Sequence, residues 1–134
     1  MKITFGILLL SVLALASCGT PDQPIVITPE EYHASVDQVT DIMVHDIFSP
    51  PVASRVYAYP NIAAYEIMAL HNPGYRSLEG QVSELGAIPE PRAGAPVNYR
   101  LAALVAHMDL SRQLIFSEEM MTRFRDSLYT AWSE

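Results

Sequence analysis

Two apolar segments with helical spacing meet at a Ser49-Pro50-Pro51 junction in the first half of the chain. Proline is tolerated in the first turn of a helix, where the backbone N–H groups have no partner within the helix. The junction should therefore end one helix near Phe48 and begin the next, with Ser49 as its cap and Pro50 as its first residue. This arrangement predicts an all-α fold built from consecutive helices.

The first helix should begin at Thr28-Pro29-Glu30-Glu31, which has the sequence of a capping box. Its core-facing residues follow helical spacing, at Tyr32, Val36, Val39, Met43 and Ile47. The second helix, from about Pro50 to His71, is apolar on nearly every side, which predicts burial on several sides. Pro60 lies inside it and predicts a kink or break.

A long segment rich in glycine and proline, running from Gly74 to Pro96, separates the second helix from a third. Loops of this length are uncommon in compact domains unless they have a function, so we expect a wrapping arm or a lid. The third helix should span about Val97 to Phe116, and a fourth should start at Ser117. The fourth should direct its large apolar residues inward, at Met120, Met121, Phe124, Leu128 and Trp132.

The N-terminus has the features of a bacterial lipoprotein signal peptide over residues 1–17. Lys2 precedes a short apolar stretch, and Leu15-Ala16-Ser17-Cys18 follows it. Cys18 is then the predicted lipidation site, and residues 18–27 form a tether to the folded part. Gly19 is not the acidic residue that often retains lipoproteins at the inner membrane, so the outer membrane of the cell envelope is favoured. An ordinary secretory signal is the alternative.

The composition excludes some partners. The chain has fifteen acidic residues, a net charge of −7, and a single lysine that lies in the signal peptide. Such a balance gives no electrostatic footprint for nucleic acid and would repel anionic lipid, so membrane attachment must come from the lipid on Cys18. A lone cysteine also excludes an internal disulfide.

The fourth helix is still in register at Trp132-Ser133-Glu134, and the apolar content is high for the length. We therefore expect residues 28–134 to be the N-terminal helical part of a larger helical bundle. The alternative is a complete four-helix lipoprotein that forms a homo-oligomer.

The run from Asp41 to Met68, together with Asn98–Ala103 and the helix that follows, resembles bacterial lipoproteins related to vanadium-dependent haloperoxidases, in the type 2 phosphatidic acid phosphatase superfamily. The resemblance implies halide oxidation by hydrogen peroxide, or phosphate ester hydrolysis. In that superfamily a lysine, two arginines and backbone amides hold vanadate or a phosphoryl group, and histidines act as ligand or nucleophile and as acid.

The motifs that carry this chemistry are absent from the sequence. It contains no Pro-Ser-Gly-His, and the two Ser-Arg pairs, at Arg55 and Arg112, lead to Asn61 and Glu118 where a histidine should stand. We therefore assign no catalytic, cofactor-binding or metal-binding residue, and expect the chain alone to be inactive. Vanadate would be bound by the missing half of a full-length protein. The alternative function is a non-enzymatic envelope lipoprotein that binds a protein partner or itself.

Isolated pairs of polar residues make weak candidates for a site. Asp41 and His45 have metal-ligand spacing, but two ligands do not make a site, so we interpret them as a solvated helix face. His107 and Asp109 are two residues apart and cannot share a helical face.

We also interpret the remaining polar and aromatic side chains of the apolar helices as structural. Arg55 should form a structural ion pair with Glu66 or Asp46. Five further residues are interpreted as core, namely Tyr57, Tyr59, Tyr65, Met120 and Met121.

Overall fold

A computed structural model of the chain describes residues 24–133. It contains four helices, α1 (Pro29–His45), α2 (Pro50–His71), α3 (Tyr99–Leu114) and α4 (Glu118–Ser133), and no strand within that range. The all-α fold with four helices and a long loop between the second and the third is therefore confirmed. The predicted signal peptide and Cys18 lie outside the described residues.

The start of α1 is the predicted capping box. The Thr28 hydroxyl accepts from the backbone N–H of Glu31 at 3.3 Å, and the Glu31 carboxylate accepts from the backbone N–H of Thr28 at 2.7 Å. The two hydrogen bonds satisfy N–H groups that would otherwise lack a partner at the helix terminus.

The end of α1 differs from the prediction, since the helix stops at His45 rather than Phe48. Ile47 has a left-handed backbone, with φ of 54°, and its N–H donates to the Val44 carbonyl, while the N–H of Phe48 donates to the Met43 carbonyl. This is the Schellman pattern, whose left-handed position is usually glycine. Because the chain turns there, Ile47 is 88% exposed and the prediction that it faces the core was wrong.

Helix α2 has the predicted bounds and is continuous through Pro60, so of the predicted kink or break the break does not occur. Its burial is less extensive than its composition predicts. Four residues are buried, namely Val56, Pro60, Ala64 and Glu66, whereas Val52, Tyr59 and Leu70 are more than two-fifths exposed. Within the described residues, the prediction of burial on several sides was therefore wrong.

Helix α3 is slightly shorter than predicted because Asn98 caps it, accepting from the N–H of Leu101 at 3.1 Å. The core forms where the four helices meet, and its largest members are Ile42, Met43, Leu104, Met108 and Met121. The other predicted inward residues of α4 pack partly buried against this core, as expected. The indole of Trp132 also donates to the Glu31 carboxylate at 2.7 Å, which ties the end of α4 to the start of α1.

None of the helices between residues 24 and 133 is both long enough and apolar enough to cross a membrane.

Candidate functional site

A polar cluster lies in the interior where α1, α2 and α3 meet. His107 is 1% exposed, and its Nδ1 lies 2.7 Å from the Ser35 hydroxyl. Its ring packs against that of Tyr32, with 5.1 Å between centroids. The Tyr32 hydroxyl donates to the Asn61 side-chain oxygen at 2.8 Å, and the Asn61 amide donates to the Tyr57 carbonyl at 2.8 Å. The cluster therefore joins three helices through satisfied polar groups.

Burial sets the protonation states in this cluster. It lowers the pKa of His107 from its ordinary value of 6.5 to about 4, and it raises the pKa of Tyr32 to about 12. Both side chains are consequently neutral near pH 7. A neutral imidazole that bonds to a serine hydroxyl and packs against a tyrosine ring inside the bundle favours a structural role.

A cavity of about 590 Å³ opens beside the cluster, between the start of α1, the middle of α2 and the start of α3. Aromatic and aliphatic side chains dominate its wall. The polar lining groups are few, which is the usual composition of a small-molecule cavity.

The first part of the long loop is fastened to α2 beside this cavity. Glu66 is 2% exposed, and its carboxylate accepts from the Ser77 hydroxyl at 2.6 Å and from the backbone N–H of Leu78 at 2.7 Å. The Tyr65 hydroxyl donates to the Arg76 carbonyl at 2.8 Å. We call residues 75–78 the strap. Of the predicted wrapping arm or lid, the strap packs against α2 as an arm would, and Tyr75 of the strap forms part of the cavity wall.

A second carboxylate joins two chain turns. Asp46 accepts from the backbone N–H groups of Phe116 and Ser117, at 2.9 and 3.0 Å, and from the Ser117 hydroxyl at 2.5 Å. Burial alone would raise the pKa of Asp46, but the hydrogen bonds from Ser117 and Phe116 outweigh it and lower the pKa. Asp46 thus connects the end of α1 to the start of α4.

These contacts contradict the predicted ion pair of Arg55 with Glu66 or Asp46. Both carboxylates are occupied elsewhere, and the exposed Arg55 guanidinium donates to the Pro51 carbonyl at 3.1 Å. No sequence pattern points directly to the role of Glu66, because its partners lie in a loop without periodicity. A lone acidic residue in an apolar helix was the one hint.

The other candidates follow the structural interpretation. Asp41 and His45 are exposed, and residues 24–133 contain no group of three or more His, Cys, Asp or Glu that could hold a metal ion. Asp109 lies 3.7 Å from Arg125, on a different face from the buried His107.

The three tyrosines that were predicted to lie in the core differ in their exposure. The Tyr57 hydroxyl donates to the Thr40 hydroxyl at 2.8 Å and is partly buried, and Tyr65 is likewise satisfied, but Tyr59 is 46% exposed. The core assignment was wrong for Tyr59.

Vanadate or phosphate would require cations that converge on one point. Of the four arginines in α3 and α4, Arg100 forms no ion pair within residues 24–133. The other three bond to separate carboxylates: Arg112 lies 2.9 Å from Glu118, Arg123 lies 3.6 Å from Glu119, and Arg125 lies 2.9 Å from Asp126. Three of these four guanidinium groups are therefore held at separate carboxylates rather than at one shared point.

Fold and site together define an all-α chain whose buried polar cluster is structural. Neither a model of a known protein family nor a curated protein matches the chain. A solved structure does: the crystal structure of the first bacterial vanadium-dependent iodoperoxidase matches at 63% sequence identity over 83% of this chain, with a TM-score of 0.80. The resemblance to vanadium-dependent haloperoxidases is thereby confirmed. This chain spans 27% of the length of that structure's chain.

Proposed function

We propose that this chain is a scaffold segment of a lipid-anchored vanadium-dependent haloperoxidase-like protein, and that the residues that bind vanadate lie outside it. The observation that carries the proposal is the 63% identity to a bacterial vanadium-dependent iodoperoxidase, over a quarter of that protein's length. A peroxidase is favoured over a phosphatase because the similar structure is an iodoperoxidase.

The described geometry supports a scaffold role. Its buried polar groups bond to one another across helices, as His107 does to Ser35, and three of the four arginines of α3 and α4 bond to nearby carboxylates. In a larger protein, these helices would form a rigid support that holds the residues of a site in place.

Vanadate binding tests this proposal. In a ⁵¹V NMR titration of the purified chain we expect free vanadate signals without saturable broadening, and no oxidation of iodide when hydrogen peroxide is added. Saturable vanadate binding, weakened by the variant Arg112→Gln, would show that this segment contains an oxyanion site and would overturn the scaffold proposal. The variant Arg92→Gln, in the long loop, is the matched control.

The membrane attachment is a separate part of the proposal. Cys18 follows Leu15-Ala16-Ser17, and its lipidation would place the protein at the cell envelope, with Gly19 favouring the outer membrane. Metabolic labelling with an alkyne fatty acid should mark the wild-type chain, and the variant Cys18→Ser should lose the label. Equal labelling of both would contradict the assignment.

A second candidate function is association with a protein partner or with a second copy. Three exposed apolar residues surround the turns that Asp46 joins: Val44 is 75% exposed, Ile47 is 88% exposed and Phe116 is 80% exposed. Exposed apolar groups that lie together favour association. Light scattering on a size-exclusion column should then show an oligomer that the variant Phe116→Ser dissociates, whereas a monomer at every concentration would leave only the first candidate.

A further inference from the structure

The cavity beside the buried polar cluster has the dimensions of a ligand site. Its volume of about 590 Å³ lies in the usual range for small-molecule sites, roughly 300–1,000 Å³. Three helices and the strap contribute to its wall. The side chains used in the following argument are Tyr32, Ala64, Tyr65, Met68, Tyr75 and Arg100.

The charge of the cavity is opposite to that of the chain. The whole chain has a net charge of −7, yet no aspartate or glutamate lines the cavity, and its basic lining residues are His33 and Arg100. Within residues 24–133 the Arg100 guanidinium forms no ion pair, whereas three other arginines do. An exposed guanidinium at the rim of an apolar cavity is suited to a carboxylate.

The cavity wall favours an aromatic body for the ligand. The rings of Tyr65 and Tyr75 lie 5.9 Å apart between centroids, at an interplanar angle of 59°. Because the hydroxyl of Tyr32 is bonded to Asn61 and that of Tyr65 to the Arg76 carbonyl, these residues offer mainly ring surface. Aromatic side chains add a stacking preference to their apolar area.

We infer that this cavity binds a small aromatic carboxylate, with the ring between the tyrosines and Met68 and the carboxylate on Arg100. The inference rests on the cavity alone and does not depend on the proposed haloperoxidase function. The strap belongs to the site, since it positions Tyr75 and is itself fastened by Glu66. Ligand binding should therefore also protect the strap from exchange with solvent.

A pair of probes separates the charge from the apolar body. 3-Phenylpropionate has about eleven non-hydrogen atoms, so its dissociation constant should be on the order of millimolar. In a ¹H–¹⁵N NMR titration we expect saturable shifts at the amides of Tyr32, Ala64 and Arg100. The neutral 3-phenylpropionamide should bind roughly fivefold more weakly, because an exposed charge pair contributes modestly.

Two variants test the residues. Arg100→Gln should weaken the binding of 3-phenylpropionate about fivefold and leave the binding of 3-phenylpropionamide unchanged. The matched control Arg92→Gln, in the exposed loop, should alter the binding of neither probe. Met68→Trp should fill the cavity and weaken both probes at least tenfold. Equal binding of the two probes to the wild-type chain, or shifts that are absent or lie outside the cavity, would overturn the inference. If Met68→Trp unfolds the chain, the binding of the two probes to Arg100→Gln and to the wild-type chain still tests the inference.

Discussion

Ile47 provides the sharpest test of the turn between α1 and α2. It is a β-branched residue in the left-handed position of a Schellman motif, with φ of 54°. That conformation costs an L-residue roughly 1–2 kcal/mol, and glycine avoids the cost. The side chain is 88% exposed, so removing it sacrifices only a few tenths of a kcal/mol of burial. Glycine also makes the unfolded chain more flexible, which costs roughly 0.5–1 kcal/mol.

The balance predicts that Ile47→Gly raises the free energy of unfolding by about 0.5 kcal/mol. Urea denaturation followed by circular dichroism measures it, with the variant Ala58→Gly as a control. Ala58 is exposed within α2, where glycine should lower stability by about 1 kcal/mol. A loss of stability in Ile47→Gly equal to that in Ala58→Gly would refute the assignment of a strained turn.

Three further predictions concern buried or bonded groups. Glu66→Ala should release the strap, so that trypsin cleaves after Arg76 at least tenfold faster. The rate of cleavage after Arg92 should not change, and equal acceleration at both sites would contradict this prediction. The folded-state pKa of His107 is lowered to about 4, so the free energy of unfolding should fall by about 3 kcal/mol as the pH drops from 6.5 to 4. Urea titrations measure this fall, and the variant His107→Gln should remove it. The pKa of Asp46 is lowered too, so this carboxylate stabilises the fold above its unfolded-state pKa, and the stabilisation is lost as the pH falls through the folded-state pKa. Asp46→Asn should therefore lower the free energy of unfolding by about 1–2 kcal/mol at neutral pH and change it little in acid.

Periodicity and capping chemistry predict the helices well, because both act within a few residues along the chain. The capping box at Thr28 and the start of α2 at Pro50 are examples. The prediction for the end of α1 was wrong because the Ser-Pro-Pro junction does not itself end the helix. A Schellman turn without glycine ends it first.

Contacts between distant parts of the chain could not be read from local patterns. The carboxylates of Glu66 and Asp46 bond to residues 11 and 71 positions away, and neither partner has a sequence signature. The His107–Ser35 pair spans 72 positions. The sequence did indicate correctly that Asp41 and His45 lie on a solvated helix face, since both side chains are exposed.

We propose that these helices support a vanadate site formed by residues elsewhere in a haloperoxidase-like protein. The most direct test is to sequence the genomic DNA beyond the codon for Glu134 and translate it. If the helices are such a scaffold, we expect a continuation that contains a lysine followed by Arg-Pro, and then Pro-Ser-Gly-His. A stop codon with no such motifs downstream in any frame would contradict it.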